Sequence, residues 1–250
     1  MHPVFAPLLP ADYRFLVEVI EGPIGLTDDR HLHGLLRAVE ADDTPEARRA
    51  LALRVEHELR YLGSADLAYL VRYATGKEAG VPLREVVRDV AKKLKVDVPM
   101  GTEREMLEAL AEGYATQQFA GLPPEEQQAL LERLGVEQEQ AAAFLKKSAG
   151  VFAIPALIQA FGIVVVDGLI KTVLFGAIAK IIGAQFAARL FQMLMARLPW
   201  WVGWIGPAAW SLSISWAVLD VQGPAYRKTI PAMLYLGLCS LRERAETPAE

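Results

Sequence analysis

The sequence predicts an all-α protein, a multi-helix bundle with a central apolar helical hairpin. Three observations carry this reading. Apolar residues recur at helical spacing along residues 1–147, and no stretch alternates apolar and polar residues as a half-buried strand would. Residues 148–222 hold only six charges: Asp167, Lys171, Lys180, Arg189, Arg197 and Asp220. The 250 residues therefore divide into a polar region of amphipathic helices (1–147), an apolar hairpin with a tryptophan segment (148–222), and a C-terminal amphipathic helix and tail (223–250). We read these as parts of one integrated domain, since the length suffices for a single large core.

In the polar region the helix boundaries are signalled by side chains that satisfy or lack backbone donors. A helix over 28–41 carries His31 and His33. Thr44 followed by Pro45 supplies an N-cap and a first-turn proline, and the helix after them sets Ala47, Leu51, Val55, Leu59 and Leu62 on one stripe. Ser64 caps a helix through Leu67, Leu70 and Val71 that stops at Gly76. Leu83, Val86, Val87, Val90, Ala91 and Leu94 make a third stripe, with Arg84, Arg88, Asp89, Lys92 and Lys93 outward. Thr102 and Glu105 have capping-box spacing ahead of Met106, Leu107 and Leu110. Pro123 and Pro124 open a further helix, which Gly135 closes.

Beyond Lys146 and Lys147 the texture changes. Residues 148–166 carry no charge, and their run is interrupted by Gly150, Pro155 and Gly162. Residues 168–197 are apolar but include Lys171, Lys180, Arg189 and Arg197. All five tryptophans (Trp200, Trp201, Trp204, Trp210 and Trp216) then fall within 17 residues, in a stretch turned at Pro199 and Gly206-Pro207. Gly176, Ala179, Gly183 and Ala187 stand at the spacing of a small-residue ridge that admits a close neighbouring helix. After Gly223-Pro224, Thr229 and Pro231 are placed to cap and start a last amphipathic helix reaching about Arg244.

Signatures of catalysis are missing from this chain. Gly76-Lys77 lacks the upstream glycine of a phosphate loop, and no G-x-S-x-G occurs. His57-Glu58 begins like a zinc helix, but Tyr61 stands where the second histidine is required. His31 and His33 are two apart, which turns them about 200° from each other on a helix, too far for one metal. The acidic residues read as solvated helix faces rather than a catalytic pair. We therefore expect a non-enzymatic protein with no cofactor and no metal. A net charge of −4, without a basic stripe interleaved with aromatics, argues against nucleic acid. Cys239 is the single cysteine, so no internal disulfide forms and a reducing compartment is expected. The N-terminal stretch MHPVFAPLLPADYRFL has no basic n-region and does not read as a signal peptide.

Two stretches carry a family resemblance: HELRYLGSADLAYLVRYATGKEAGVPLREVVRDVAKKLKV (57–96) and GPAYRKTIPAMLYLGLCSLRER (223–244), the second preceded by the tryptophan-bearing Gly-Pro segment. Together they resemble the YaaW-like family of uncharacterised bacterial proteins, which is loosely grouped with ubiquinol–cytochrome c chaperone-like proteins. Gly63 stands alone where the family pattern has a Gly-Gly turn, whereas the A-Y-R-x-T-I-P-A core is complete from Ala225 to Ala232. The resemblance implies a bacterial source, a common helical fold and a chaperone association, with no activity to transfer. Of its motif residues, Gly223, Pro224, Tyr226, Arg227, Thr229 and Pro231 read as turn and packing residues that anchor the last helix.

The expected contacts follow from the apolar third. Trp200, Trp201 and Trp204 suit a headgroup layer, Trp210 and Trp216 extend the same surface, and Lys146, Lys147 and Arg197 are placed to meet phosphates beside it. Against constitutive spanning, Gly206-Pro207 interrupts the tryptophan segment and Lys180 sits centrally in the preceding one. The expectation is a helical protein whose hairpin is partly sheltered and meets membrane lipid or an apolar protein partner, as an assembly or chaperone-like factor. It would be cytoplasmic and peripheral to the inner membrane face, with room for oligomerisation. A conditional pore-former with an insertable hairpin and a wholly soluble helical protein are the alternatives.

Overall fold

The computed structural model describes residues 2–22, 30–63, 81–148, 150–197 and 226–246. The helix expected over 64–76, all five tryptophans, Gly206-Pro207, Gly223 and Pro224 lie outside the described residues. Among the described residues all regular structure is helical. A single 3-10 turn, Pro3–Phe5, precedes α1 (Pro10–Glu21), α2 (Arg30–Ala41), α3 (Pro45–Leu62), α4 (Leu83–Leu94), α5 (Glu103–Ala120) and α6 (Pro124–Arg133). They are followed by α7 (Gln138–Ser148), α8 (Ile154–Phe161), α9 (Ile163–Ile182), α10 (Ala184–Arg197) and α11 (Tyr226–Glu246). The all-α multi-helix bundle is as the sequence predicts.

Local chemistry sets the boundaries in the polar half. Thr44 Oγ1 accepts from Ala47 N at 3.2 Å and starts α3. Thr102 Oγ1 accepts from Glu105 N at 3.2 Å while Glu105 Oε2 accepts from Thr102 N at 2.7 Å, closing the capping box of α5. Leu51, Val55 and Leu59 of α3 are buried, as are all six stripe residues of α4. One cluster of buried apolar side chains runs from Val4 to Leu241. Its centre is a trio: α11 packs on α5, and α9 packs on both.

Here the structure departs from the sequence reading. The last helix is not an amphipathic surface helix: every residue from Thr229 to Arg242 is buried. Its charges are confined to the ends, and the intervening IPAMLYLGLCSL is apolar on all sides, so the helix serves as the bundle's axis rather than its cover. Thr229 and Pro231 do not start it, because α11 already runs from Tyr226 and Pro231 lies inside. Proline is tolerated there because the carbonyl it leaves without a helical donor belongs to Arg227, which is exposed in the first turns.

The expected small-residue ridge also fails as a ridge. Gly183, at φ +93°, terminates α9, and Ala187 belongs to α10, so the four residues share no helix face. Gly183 is exposed, Gly176 and Ala179 are half-buried, and only Ala187 is buried. The close helix approach lies elsewhere. A Cβ on Gly237 of α11 would stand 2.6 Å from Leu107 O and 2.8 Å from Ala111 Cβ of α5. That absence of a side chain is what allows α5 and α11 to meet.

Two glycine-to-alanine substitutions should therefore act in opposite directions. Gly34 in α2 has nothing within 4 Å of an added Cβ, so Gly34→Ala should stabilise by about 0.5–1 kcal/mol through helix propensity. Gly237→Ala gains the same propensity but presses on a backbone oxygen that cannot retreat without moving α5. We expect a net loss of about 1–3 kcal/mol. Urea denaturation of the two variants beside the parent protein measures both.

Candidate functional site

The apolar third is enclosed unevenly, and the unevenness defines the candidate site. From Val166 to Ile178, α9 is buried on most sides against α5 and α11. Its one buried cation, Lys171, donates to Asp167 Oδ2 at 2.6 Å, a pairing one helical turn long within the same helix. α10 is amphipathic, burying Ala187, Leu190, Phe191 and Leu194 while Ala188, Arg189, Gln192 and Ala196 face outward.

The segment between α7 and α9 forms an elbow with one anchored and one open side. Phe152 packs edge-on against Phe119 at 4.9 Å between ring centroids, and Phe161 packs edge-on against Phe144 at 4.7 Å. Leu157 is fully buried, and Gln140 Nε2 donates to Ala160 O at 2.9 Å. These contacts fix α8 by one face. Gly150 (φ +82°) and Gly162 (φ +83°) make the two reversals, in a backbone region that side chains disfavour. What remains outside is uncharged and, apart from Gln159, apolar. Val151 is 79% exposed, Ile163 58% and Val164 67%, with Ala153, Pro155 and Ala156 also exposed. Lys146 and Lys147 end α7 just before this elbow, and both are exposed. No charge follows until Asp167.

The other predicted contact residue within the described chain, Arg197, ends α10 in an ion pair. Its Nη1 lies 2.8 Å from Glu40 Oε1, and Arg14 binds the same carboxylate through Nε (2.5 Å) and Nη2. The Arg14 hydrogen bonds, outweighing the opposing effect of burial, hold the Glu40 carboxyl below its usual range, and Arg197 adds to this. The last residue before the tryptophan segment is thus tied to α2. Tyr226 packs under Lys93 Nζ, 5.5 Å from its ring centroid, and Arg227 is exposed. His31 and His57 are exposed, and His33 Nε2 lies 2.7 Å from Glu21 Oε2. Among the described residues no group of three His, Cys, Asp or Glu is placed to hold a metal.

A second polar assembly is hidden inside the core, and residue spacing gave no hint of it. Asp12, with no exposed surface, accepts from Leu9 N at 2.8 Å, from Tyr235 Oη at 2.6 Å and from Arg242 Nη2 at 2.9 Å. Arg242 Nη2 also donates to Pro7 O at 3.1 Å. Beside it Tyr13 Oη donates to Phe5 O at 2.7 Å, and Phe15 stacks on Tyr235 with centroids 3.9 Å apart. The one visible trace in the sequence is a lone acid in the first turn of an apolar helix. This cluster is closed to solvent and its acceptors are engaged, so its chemistry is cohesion between the first and last helices.

Breaking that cohesion from one side strands a buried charge. Asp12→Asn should cost about 3–5 kcal/mol in urea unfolding, since Arg242 would keep its charge without its counter-ion. Burial also raises the ionisation of Tyr13, Tyr114, Tyr235 and Cys239 above their ordinary values, with Asp12 reinforcing it at Tyr13, Tyr235 and Cys239. The folded chain then keeps protons that the unfolded chain releases. These groups leave stability unchanged below the ordinary thiol value of 9.0. Above it, and above 10.0 for the phenols, stability should fall by up to about 1.4 kcal/mol per pH unit for each group. Tyr235→Phe should start lower, because Asp12 loses a donor, yet decline less steeply with alkali. Unfolding midpoints compared at about pH 8 and about pH 10.5 test this.

With the geometry in view, comparison with known proteins adds little chemistry. The chain is 26% identical over 223 residues to the UPF0174 protein of Helicobacter pylori (strain J99 / ATCC 700824), covering 86% of this chain and 81% of that one. No family model matches, and no solved structure matches. The chain is thus similar to an uncharacterised bacterial protein, and its all-α bundle is described by the structure rather than borrowed from a relative.

Proposed function

We propose that the protein is a non-enzymatic peripheral factor that binds membrane lipid through the elbow around α8. The observation that carries this reading is the exposure of Val151, Ile163 and Val164 in a stretch with no charge, following exposed Lys146 and Lys147. Large apolar side chains turned to water beside lysines are costly unless something covers them in use. Basic groups flanking an apolar wedge match the order of phosphates and acyl chains at a bilayer surface. Among the described residues no helix is long and apolar enough to cross a membrane, and the contact proposed is an interfacial one. The tryptophan segment, which lies outside the described residues, is the second candidate for lipid contact in this reading, and the surface it would meet is the cytoplasmic face of the inner membrane. A YaaW-like, chaperone-associated role fits a factor that holds apolar subunits at such a surface.

Co-flotation with vesicles of phosphatidylcholine and phosphatidylglycerol tests the proposal. The parent protein should float, with tryptophan emission shifting to the blue, and a trapped dye should stay inside. The Val151→Asp/Val164→Asp variant should fold with unchanged circular dichroism and lose most of its binding, because neither residue is packed. Failure of the parent protein to float, or equal flotation of the variant, overturns the assignment. Dye release would instead identify the elbow and hairpin as a conditional pore-former.

A further inference from the structure

Away from the elbow, the C-terminal end of α4 and the loop after it enclose a groove of about 500 Å³. Arg88, Lys92 and Lys95 line it, and the spacing of four and then three residues sets them along one edge of the helix. Among the described residues Ala91, Val96 and Val98 form its apolar lining, and Asp97 is its one acid. We propose that this groove is a binding site for a phosphate monoester group.

Three observations support the assignment. First, among the described residues no carboxylate forms an ion pair with Arg88, Lys92 or Lys95, although arginines elsewhere in the fold mostly do so, as Arg14, Arg48, Arg104 and Arg244 show. Among the described residues the one partner of the Arg88 guanidinium is Met100 Sδ, at 3.4 Å, and a thioether is a weak acceptor. Its remaining donors suit two oxygens of a phosphate, with the lysines acting as point charges. Secondly, Lys95 is the one residue other than glycine with a positive φ among the described residues, at φ 58° and ψ 42°. A glycine or asparagine would end the helix there with less strain, and the lysine in that place adds a third cation to the groove. Thirdly, the charges match. Three cations against Asp97 leave a surplus of two, and a phosphate monoester carries about −1.5 to −2 near neutrality. Compensation of the helix dipole explains lysines in a last turn. It does not explain Arg88, one turn before Lys92, lining the same hollow.

The assignment is independent of the lipid reading, because α4 and the elbow are different surfaces. A monoester reaches the groove either on a soluble molecule or on a lipid such as phosphatidic acid, and two arms separate these sources. In the first, inorganic phosphate is titrated into the full chain at constant ionic strength, balanced with chloride, and followed by the amide signals of residues 88–98. Saturable binding is expected, about tenfold weaker in Lys95→Gly and in Arg88→Gln, and unchanged in Arg49→Ala, whose exposed cation is remote in sequence. Lys95→Gly relieves its own backbone, so loss of binding there is not loss of fold. In the second arm, vesicles of phosphatidylcholine with phosphatidic acid are compared with phosphatidylserine vesicles of equal surface charge. A preference for phosphatidic acid that Lys95→Gly abolishes places the monoester on a lipid. Equal binding to both, with phosphate binding intact, places it on a soluble molecule. If phosphate does not saturate, or the variants bind it as the parent does, the site is refuted.

Discussion

A helix buried along fourteen consecutive residues must bring its polar groups to partners inside the protein, and α11 does this through Asp12. Tyr235 and Arg242 are two turns apart on α11, and one carboxylate on α1 receives both. That single acid fixes the rotation and height of the last helix against the first. A buried ion pair adds little net stability over a well-packed apolar alternative, because desolvation cancels most of the attraction. Its consequence is register: any slip of α11 by one residue would leave a phenol and a guanidinium without acceptors. The stacking of Phe15 on Tyr235, and of Phe175 edge-on against Phe191 at 4.5 Å, continues this alignment into α9 and α10.

Enclosing α11 has a cost in covering surface. The apolar faces of α1, α4 and α5 are spent on the last helix, and Gly237 brings α5 close enough to make that enclosure tight. α9 then takes the remaining place beside α5 and α11. Nothing among the described residues closes over the outer side of α8 or the first turn of α9. The open elbow is thus a consequence of which helix won the centre of the bundle, rather than an isolated surface feature.

Much of this was legible in the residues. Thr44-Pro45, the Thr102–Glu105 box and the α4 stripe are local signals, and local physics decides them: a hydroxyl satisfies a free N–H, and an apolar period buries one face. The central position of α11 is hidden in the sequence because charges at both ends, from Arg227 and Lys228 to Arg242 and Arg244, give the segment an amphipathic look. The uncharged run 230–241 between them was the better guide. The small-residue spacing from Gly176 to Ala187 makes no ridge for a related reason. Spacing alone assumes an unbroken helix, and Gly183 breaks it, whereas Gly237, with no second glycine at helical spacing, meets the backbone of a neighbouring helix. The Asp12 cluster joins residues more than 220 positions apart, which no window along a sequence detects. At the candidate site, the exposed side chains that follow Lys146 and Lys147 are Val151, Ile163 and Val164, because Phe152, Leu157 and Phe161 are held inward and decide which side of α8 faces out.

Helix lengths then constrain how such a surface would meet lipid. Eight residues of α8 span about 12 Å and fourteen of α10 about 21 Å, both short of a hydrocarbon core of about 30 Å. α9 has the length, but it carries Asp167, Lys171 and Lys180, and its middle is held by α5 and α11. Pulling it out would expose the apolar faces of its neighbours and draw the Asp167–Lys171 pair into hydrocarbon, two penalties that no lipid contact along its length offsets. Shallow insertion has neither penalty. Val151, Ile163 and Val164 already face outward, their entry moves no buried side chain, and the lysines preceding them stay at phosphate depth. On the proposed reading the bundle stays folded while its elbow rests in the interface.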